Sequence, residues 1–273
     1  MTRVLITGAA RGIGAALAAR LHERGARVAL LGLESERLEA LSAKLGGAPW
    51  RTCDVANRGE VDSAIAALAA ELDGLDVVVA NAGIAAQLPL VGGDPSTFKS
   101  IMDVNVLGTY YTLRAAGPYI SHPQGYAVAI ASLAAAIHLP LMGAYCASKA
   151  AVEALGNSLR IELRPSGAKV GIAYFGEIDT DMTVRGFGTR AAAATPRFGL
   201  FTRAAPLPRA IDALERGIAR RARIIAAPGF VAPLLPVRAL IQRLVDVRMQ
   251  ANLTTALAIA REENAPLTTV QPR

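Results

Sequence analysis

Short apolar runs alternate along the chain with longer stretches in which apolar positions recur every three or four residues. Arg3-Val4-Leu5-Ile6-Thr7 is the first such run. A helix from Ala15 to Arg24, closed by Gly25, separates it from a second buried run, Arg27-Val28-Ala29-Leu30-Leu31. The pattern then predicts a helix from Ser35 to Leu45 with Ser35 as its N-cap, a strand from Trp50 to Asp54 and a helix from Arg58 to Leu72. Asp76-Val77-Val78-Val79-Ala80 is a fourth strand, Ser96 to about Ile120 one long helix, and Tyr126 to Ala131 a fifth strand. A helix from Gly143 to about Leu163 stops at Pro165, and Lys169 to Ala173 is a sixth strand. The runs are apolar throughout, as strands covered on both faces require. Strict strand–helix alternation without an internal repeat predicts an α/β fold, a doubly wound parallel sheet with helices on both faces. Ligands of such a sheet sit at the C-terminal ends of its strands.

Beyond the sixth strand the pattern weakens. Residues 185–208 carry Gly, Ala and Pro with little periodicity, and a movable substrate lid is expected there. Arg209 to Ala222 reads as a helix and Arg223 to Ala227 as a last strand. A helical extension over about 231–262 is broken near Pro233 and Pro236, and the residues after Glu262 are expected to be loose. Between Leu234 and Val245 apolar residues exceed what one buried face needs, with Arg238, Arg243 and Arg248 spaced along the polar side. This fits a helix covering a pocket or a subunit contact, or else a weak membrane-surface contact. All 273 residues are expected to form one domain.

Composition narrows the class. Hydrophobic residues make up 52% and charged residues 19%, which a globular core uses and a disordered chain would not. The formal charge of +7 comes with few aromatics and no recognisable nucleic-acid module, so it reads as a solvated surface without a nucleic-acid partner. An anionic cofactor or a membrane surface could still exploit it. Neither Cys53 nor Cys146 belongs to a Cys/His cluster, so no metal site is expected, and free thiols fit a reducing compartment. The first strand begins at Arg3, leaving no room for a signal peptide, and a cytoplasmic location is expected.

Two patterns carry chemistry. Gly8-Ala9-Ala10-Arg11-Gly12-Ile13-Gly14 lies between a strand and a helix, where glycines admit a pyrophosphate to the backbone and the helix N-terminus supplies N–H groups. Tyr145 and Lys149 project from one face of a helix, one turn apart. An ammonium there is expected to lower the phenol pKa and suit it to acid–base work. Taken alone, such a pair arises in many helices; Asn81 and Ser132 at neighbouring strand ends give it weight.

Assembled, these residues resemble the short-chain dehydrogenase/reductase family over about Val4 to Met182. The resemblance implies a Rossmann-like fold and a nicotinamide-dependent oxidoreductase interconverting a hydroxyl and a carbonyl group. Thr7 to Gly14 is similar to the family's cofactor loop, Asp54-Val55 to the pair that touches adenine, and Asn81-Ala82-Gly83 to the motif beside the cofactor. Asn105, Ser132, Tyr145 and Lys149 match the catalytic tetrad. Tyr145 would pass the proton, Lys149 would support it and bind the nicotinamide ribose, Ser132 would hold the developing oxyanion, and Asn105 would position a water. Gly176, Ile178 and Thr180 fit the segment bracketing the nicotinamide, although Phe175 stands where the family has proline, which puts the path of that loop in question.

The resemblance leaves the cofactor open between NADP(H) and NAD(H). Gly32 occupies the position where NAD users carry an acid, and Leu33 follows where NADP users often carry arginine. Arg11 and Arg37 are candidates for a 2′-phosphate, Glu34 for a ribose; NADP(H) is expected. His138 reads as a structural or surface residue rather than a substrate contact. A hydrophobic, lipid-like or steroid-like alcohol or ketone is the expected substrate, and a homodimer or homotetramer the expected assembly. The competing readings are an acyl-carrier-protein-linked ketoreductase with Arg185, Arg190, Arg197 and Arg203 as its basic rim, a non-catalytic dinucleotide-binding regulator, and a membrane-peripheral scaffold.

Overall fold

The structure is a computed structural model that describes residues 1–196, 203–263 and 265–269. Its strands are β1 (Arg3–Thr7), β2 (Arg27–Gly32), β3 (Trp50–Thr52), β4 (Val77–Ala80), β5 (Tyr126–Ile130), β6 (Lys169–Phe175) and β7 (Ile224–Ala227). They form one seven-stranded sheet in the order β3-β2-β1-β4-β5-β6-β7, with every pairing parallel. The helices between them are α1 (Gly12–Glu23), α2 (Ser35–Lys44), α3 (Arg58–Leu72), α4 (Pro95–Met102), α5 (Gly108–Ile120) and α6 (Gly143–Glu162). After β6 come α7 (Asp181–Phe187), α8 (Arg190–Ala194), α9 (Leu207–Arg220), α10 (Val231–Leu234), α11 (Arg238–Arg248) and α12 (Leu253–Glu263).

Side-chain alternation builds two cores from one sheet. Val4, Ile6, Val28 and Leu30 point to the face covered by α1, α2 and α9, while Leu5, Ala29 and Leu31 point to the face covered by α3 and α5. Successive residues of β1, β2, β4 and β5 are therefore buried on opposite sides, the physical cause of their unbroken apolar runs. The order of strands reverses between β1 and β4, so the crevice at the C-terminal ends of these strands is where a doubly wound sheet accepts a ligand.

Several local expectations are corrected. Ser35 is the first residue of α2; Glu34 precedes it at the cap, with its carboxylate turned to Arg11 instead of the helix. The helix expected from Ser96 to Ile120 starts one residue earlier, capped by Asp94, and carries a π-helical segment, Asp103–Leu107, between α4 and α5. That segment widens the backbone where Asn105 points inward, a device common at functional sites. β6 runs on to Phe175, which stands opposite Ala227, and the next N–H, that of Gly176, donates to Ala227 O at 2.9 Å. The long C-terminal helical pattern is three helices, and α7 and α8 occupy part of the expected lid. Residues 197–202 of that stretch, with Arg197, lie outside the described residues. Within the described residues 265–269, expected to be loose, Thr268 is buried and Leu267 packs against the α3/α5 side.

Candidate active site

The glycine loop closes against β4. Gly8 has φ +64, and a Cβ there would fall 2.8 Å from Ala82 Cα; at Gly14 it would fall 2.3 Å from Gly8 O. Only glycine lets the loop, the start of α1 and Asn81-Ala82 approach this closely. Asn81 Nδ2 donates to Thr7 O at 2.9 Å and Gly8 O at 3.2 Å, while the backbone N–H groups of Asn81 and Ala82 donate to Thr7 Oγ1 at 3.0 and 3.1 Å. Thr7 thus ties β1 to β4, a role its sequence position did not reveal. At the N-terminus of α1 no side chain caps the first turn and no acid stands in it. Its N–H groups and the positive end of the helix are therefore available to an anion, and the loop fits a dinucleotide pyrophosphate.

A cavity of about 900 Å³ runs from this loop across the sheet ends. Gly8, Arg11, Gly12, Ile13, Gly32 and Leu33 line one end, with Asp54 and Val55 beside them. Asn81, Ala82 and Gly83 form its floor, and Gly176, Ile178 and Thr180 its opposite wall. Ser132, Tyr145 and Lys149 line the middle. Gly14 and Asn105 stand behind the wall: Gly14 packs on Gly8, and Asn105 is fully buried.

α6 presents Tyr145 and Lys149 on one face, and Lys149 Nζ lies 5.6 Å from the Tyr145 ring centroid. Lys149 Nζ donates to Ile130 O at 2.9 Å. The Ser132 hydroxyl, at the end of β5, hydrogen-bonds the Tyr145 hydroxyl, donates to Phe175 O at 3.2 Å and accepts from Ala134 N at 3.1 Å. Asn105 braces the same corner: its Oδ1 accepts from Ile84 N at 2.8 Å, and its Nδ2 donates to Ile84 O and to Ser148 Oγ, both at 2.9 Å. Its amide is therefore committed to protein partners. Ser148, one residue before Lys149, completes this brace and was not singled out from sequence.

The electrostatics differ from the expectation that Lys149 lowers the phenol pKa. Burial pushes the Tyr145 phenol up to about 12, and the Ser132 hydrogen bond offsets only part of this. Burial alone moves Lys149 down to about 8. Desolvation penalises the charged form of each group, and the ammonium points to Ile130 O instead of the phenol oxygen.

At the far end of the loop Arg11 Nε donates to Glu34 Oε2 at 2.6 Å, and Arg11 Nη1 reaches Asp181 of α7 at 3.5 Å. Arg37 Nε approaches the same Glu34 carboxylate at 3.3 Å. The Arg11 hydrogen bond holds the Glu34 pKa below its usual range.

The substrate side of the cavity is mostly apolar, with Leu139, Leu141 and Met142 from the segment before α6, Ile241 and Val245 from α11 and Met249 just after it. The buried Gln87 is one of its polar wall residues, with Arg203, and accepts a hydrogen bond from Thr189. His138 lies outside, exposed, where its backbone and Gln242 exchange hydrogen bonds of 2.8 and 3.1 Å that fasten α11 to this segment. Thr268 and Thr269 contribute from the C-terminal end. Glu263 accepts from the N–H groups of Arg190 and Ala191 at 2.9 and 3.1 Å, capping α8 from α12.

The chain is similar to several known oxidoreductases. A D-threitol dehydrogenase of Mycolicibacterium smegmatis is 37% identical over 171 residues, covering 61% of this chain and 66% of that protein. An alcohol dehydrogenase of the archaeon Thermococcus sibiricus, solved with 5-hydroxy-NADP, superposes with a TM-score of 0.71 at 25% identity over 83% of this chain and 95% of that one. A short chain dehydrogenase/reductase of Burkholderia phymatum, solved with NAD, shares the fold with a TM-score of 0.77 at 21% identity over 92% and 96% of the two chains. Residues 2–190 match the short chain dehydrogenase family itself. The chain belongs to that family and is an oxidoreductase of hydroxyl and carbonyl groups.

Proposed function

We propose that the protein reduces a hydrophobic ketone, or oxidises the matching alcohol, with NADP(H) as the preferred nicotinamide. The observation that carries the reading is the Ser132–Tyr145 hydrogen bond beside Lys149 on the wall of the cavity that also holds the glycine loop. The nicotinamide would supply or accept the hydride. Tyr145 passes a proton to or from the substrate oxygen, and Ser132 steadies that oxygen as charge develops. Lys149 supplies the positive charge that makes the phenolate accessible, and it holds the ribose. Asn105 keeps α6 and the end of β4 in register with them.

The preference for NADP(H) rests on charge. Arg11, Arg37 and Arg185 act on Glu34, and Asp181 is the other acid beside Arg11, so the cluster is formally positive by one. A 2′-phosphate arriving beside Gly32 would compete with Glu34 for two guanidinium groups. An NAD ribose would need a carboxylate that Arg11 already holds. The apolar walls support a hydrophobic substrate in place of the small polyol named for the M. smegmatis relative. The carrier-protein alternative needs a free basic rim, and Arg190 lies 3.4 Å from Glu262.

The remaining roles belong to the same proposal. Residues 1–273 act as one Rossmann-like domain, α7 and α8 move as a lid, and copies assemble as a dimer or tetramer through exposed side chains such as Leu107, Tyr110 and Tyr119 of the α4–α5 region. Among the described residues no helix is long and apolar enough to cross a membrane. A panel of alcohols and ketones, followed by nicotinamide absorbance with each cofactor, tests the reading. Turnover is expected with bulky apolar ketones and NADPH; activity confined to small polyols with NAD would contradict it.

A further inference from the structure

α11 has two apolar sides. Ile241 and Val245, with Met249 just after the helix, face the cavity. On the other side Val237, Leu240, Leu244 and Val247 follow at spacings of three, four and three residues and so share one stripe. They are 44%, 61%, 58% and 72% exposed, and no described part of the chain covers them.

The borders of this stripe are basic. At 3.6 residues per turn Arg243 falls roughly 40° beyond Val247, and Arg248 roughly 20° beyond Val237 on the opposite border. Both are exposed, and among the described residues neither has a hydrogen bond or ion pair. Asp246, the acid of α11, lies farther round than Arg243 and accepts from Gln242 Nε2 at 2.8 Å. Arg238 is spent on Glu153, at 3.0 and 3.1 Å. The stripe therefore has arginine on both edges and no carboxylate between them.

We propose that α11 docks the protein on an anionic lipid bilayer, lying in the headgroup plane with the stripe toward the acyl chains. Charge decides between occupants. A symmetric contact with a second copy would bring two sets of unpaired arginines together with no acid on either border to receive them. A headgroup layer of anionic lipid complements both arginine rows at once, and the net charge of +7 draws the whole protein the same way. The docked helix also forms a wall of the cavity, so an apolar molecule dissolved in the bilayer would meet the pocket at the surface. Docking itself goes beyond the proposed reaction and stands or falls without it.

The test is co-sedimentation of the full chain with vesicles of phosphatidylcholine plus phosphatidylglycerol, and with phosphatidylcholine alone. Binding is expected to the anionic vesicles and to fall with added salt. The double variant Leu240→Gln/Leu244→Gln and the double variant Arg243→Gln/Arg248→Gln should each weaken it by about tenfold or more. Both should keep the wild-type melting temperature, because the replaced side chains are exposed. Absence of wild-type binding, or equal binding by the variants, overturns the proposal. So does a drop in sedimentation mass on Leu240→Gln/Leu244→Gln, which would make the stripe a contact between copies.

Discussion

Thr268 and Ala85 hold each other through two hydrogen bonds, Ala85 N to Thr268 Oγ1 and Thr268 N to Ala85 O, each 3.0 Å. The contact joins the C-terminal end to the loop that follows Asn81-Ala82-Gly83. Gly186 of α7 leaves room for it, since a Cβ there would lie 2.7 Å from Thr268 Cγ2. α7, the loop that follows β4 and Thr268 thus share one contact at the edge of the cavity.

Thr268→Val keeps the shape and removes the acceptor, leaving Ala85 N buried without its partner. A loss of about 1–3 kcal/mol is expected in chemical denaturation. Steady-state kinetics should show a raised KM for bulky substrates and an unchanged cofactor KM. Unaltered stability together with unaltered KM would mean that Thr268 does not bound the site.

The Lys149 amine is held at about 8, below the ordinary lysine value of 10.5. In the proposed mechanism its charge offsets the phenolate formed as Tyr145 gives up its proton, so kcat/KM for carbonyl reduction should fall as pH rises through about 8. The stability effect has the opposite sign. Between about 8 and 10.5 the unfolded chain binds more protons at this group, so its contribution to stability rises with pH across that window. Lys149→Met should remove both the kinetic limb and the rise in stability. A pH–rate profile flat through 8 in the wild type would show that the Lys149 charge is not needed.

Glu34 and the arginines around it should set cofactor choice. Glu34→Gln removes the competing carboxylate and is expected to raise the ratio of kcat/KM for NADPH over NADH by about five- to tenfold, a modest factor because the cluster is partly exposed. Arg11→Ala should lower that ratio by a similar factor. If the wild type prefers NADH and Glu34→Gln erases the preference, Glu34 is a ribose ligand and the assignment is wrong.

Elements with a strong local cause were readable from sequence. Both-face burial wrote β1, β2, β4 and β5 as continuous apolar runs, and the loop from Gly8 to Gly14 declared itself because its backbone must approach Gly8, Asn81 and Ala82 closely. Features with a distant cause were not. Ser35 looked like a cap until Glu34, drawn off by Arg11, took the position. The π segment around Asn105 follows from its bonds to Ile84 and Ser148, partners that only the sheet brings near. The tail seemed loose because Pro266, Leu267 and Thr268 carry no periodicity, while their order comes from Ala85, 183 positions away. The Tyr145–Lys149 spacing was legible, but the direction of the phenol pKa was not, because burial outweighs a neighbour one turn along the helix.

The most direct measurement of the central claim is turnover by Tyr145→Phe, with cofactor affinity measured alongside by calorimetry. The phenyl ring keeps the packing against Ala85 and Met142 and loses the hydroxyl that meets Ser132. kcat is expected to fall by about 10²–10⁴-fold while the cofactor Kd changes little. Turnover at the wild-type rate would contradict it and remove Tyr145 from the proton path.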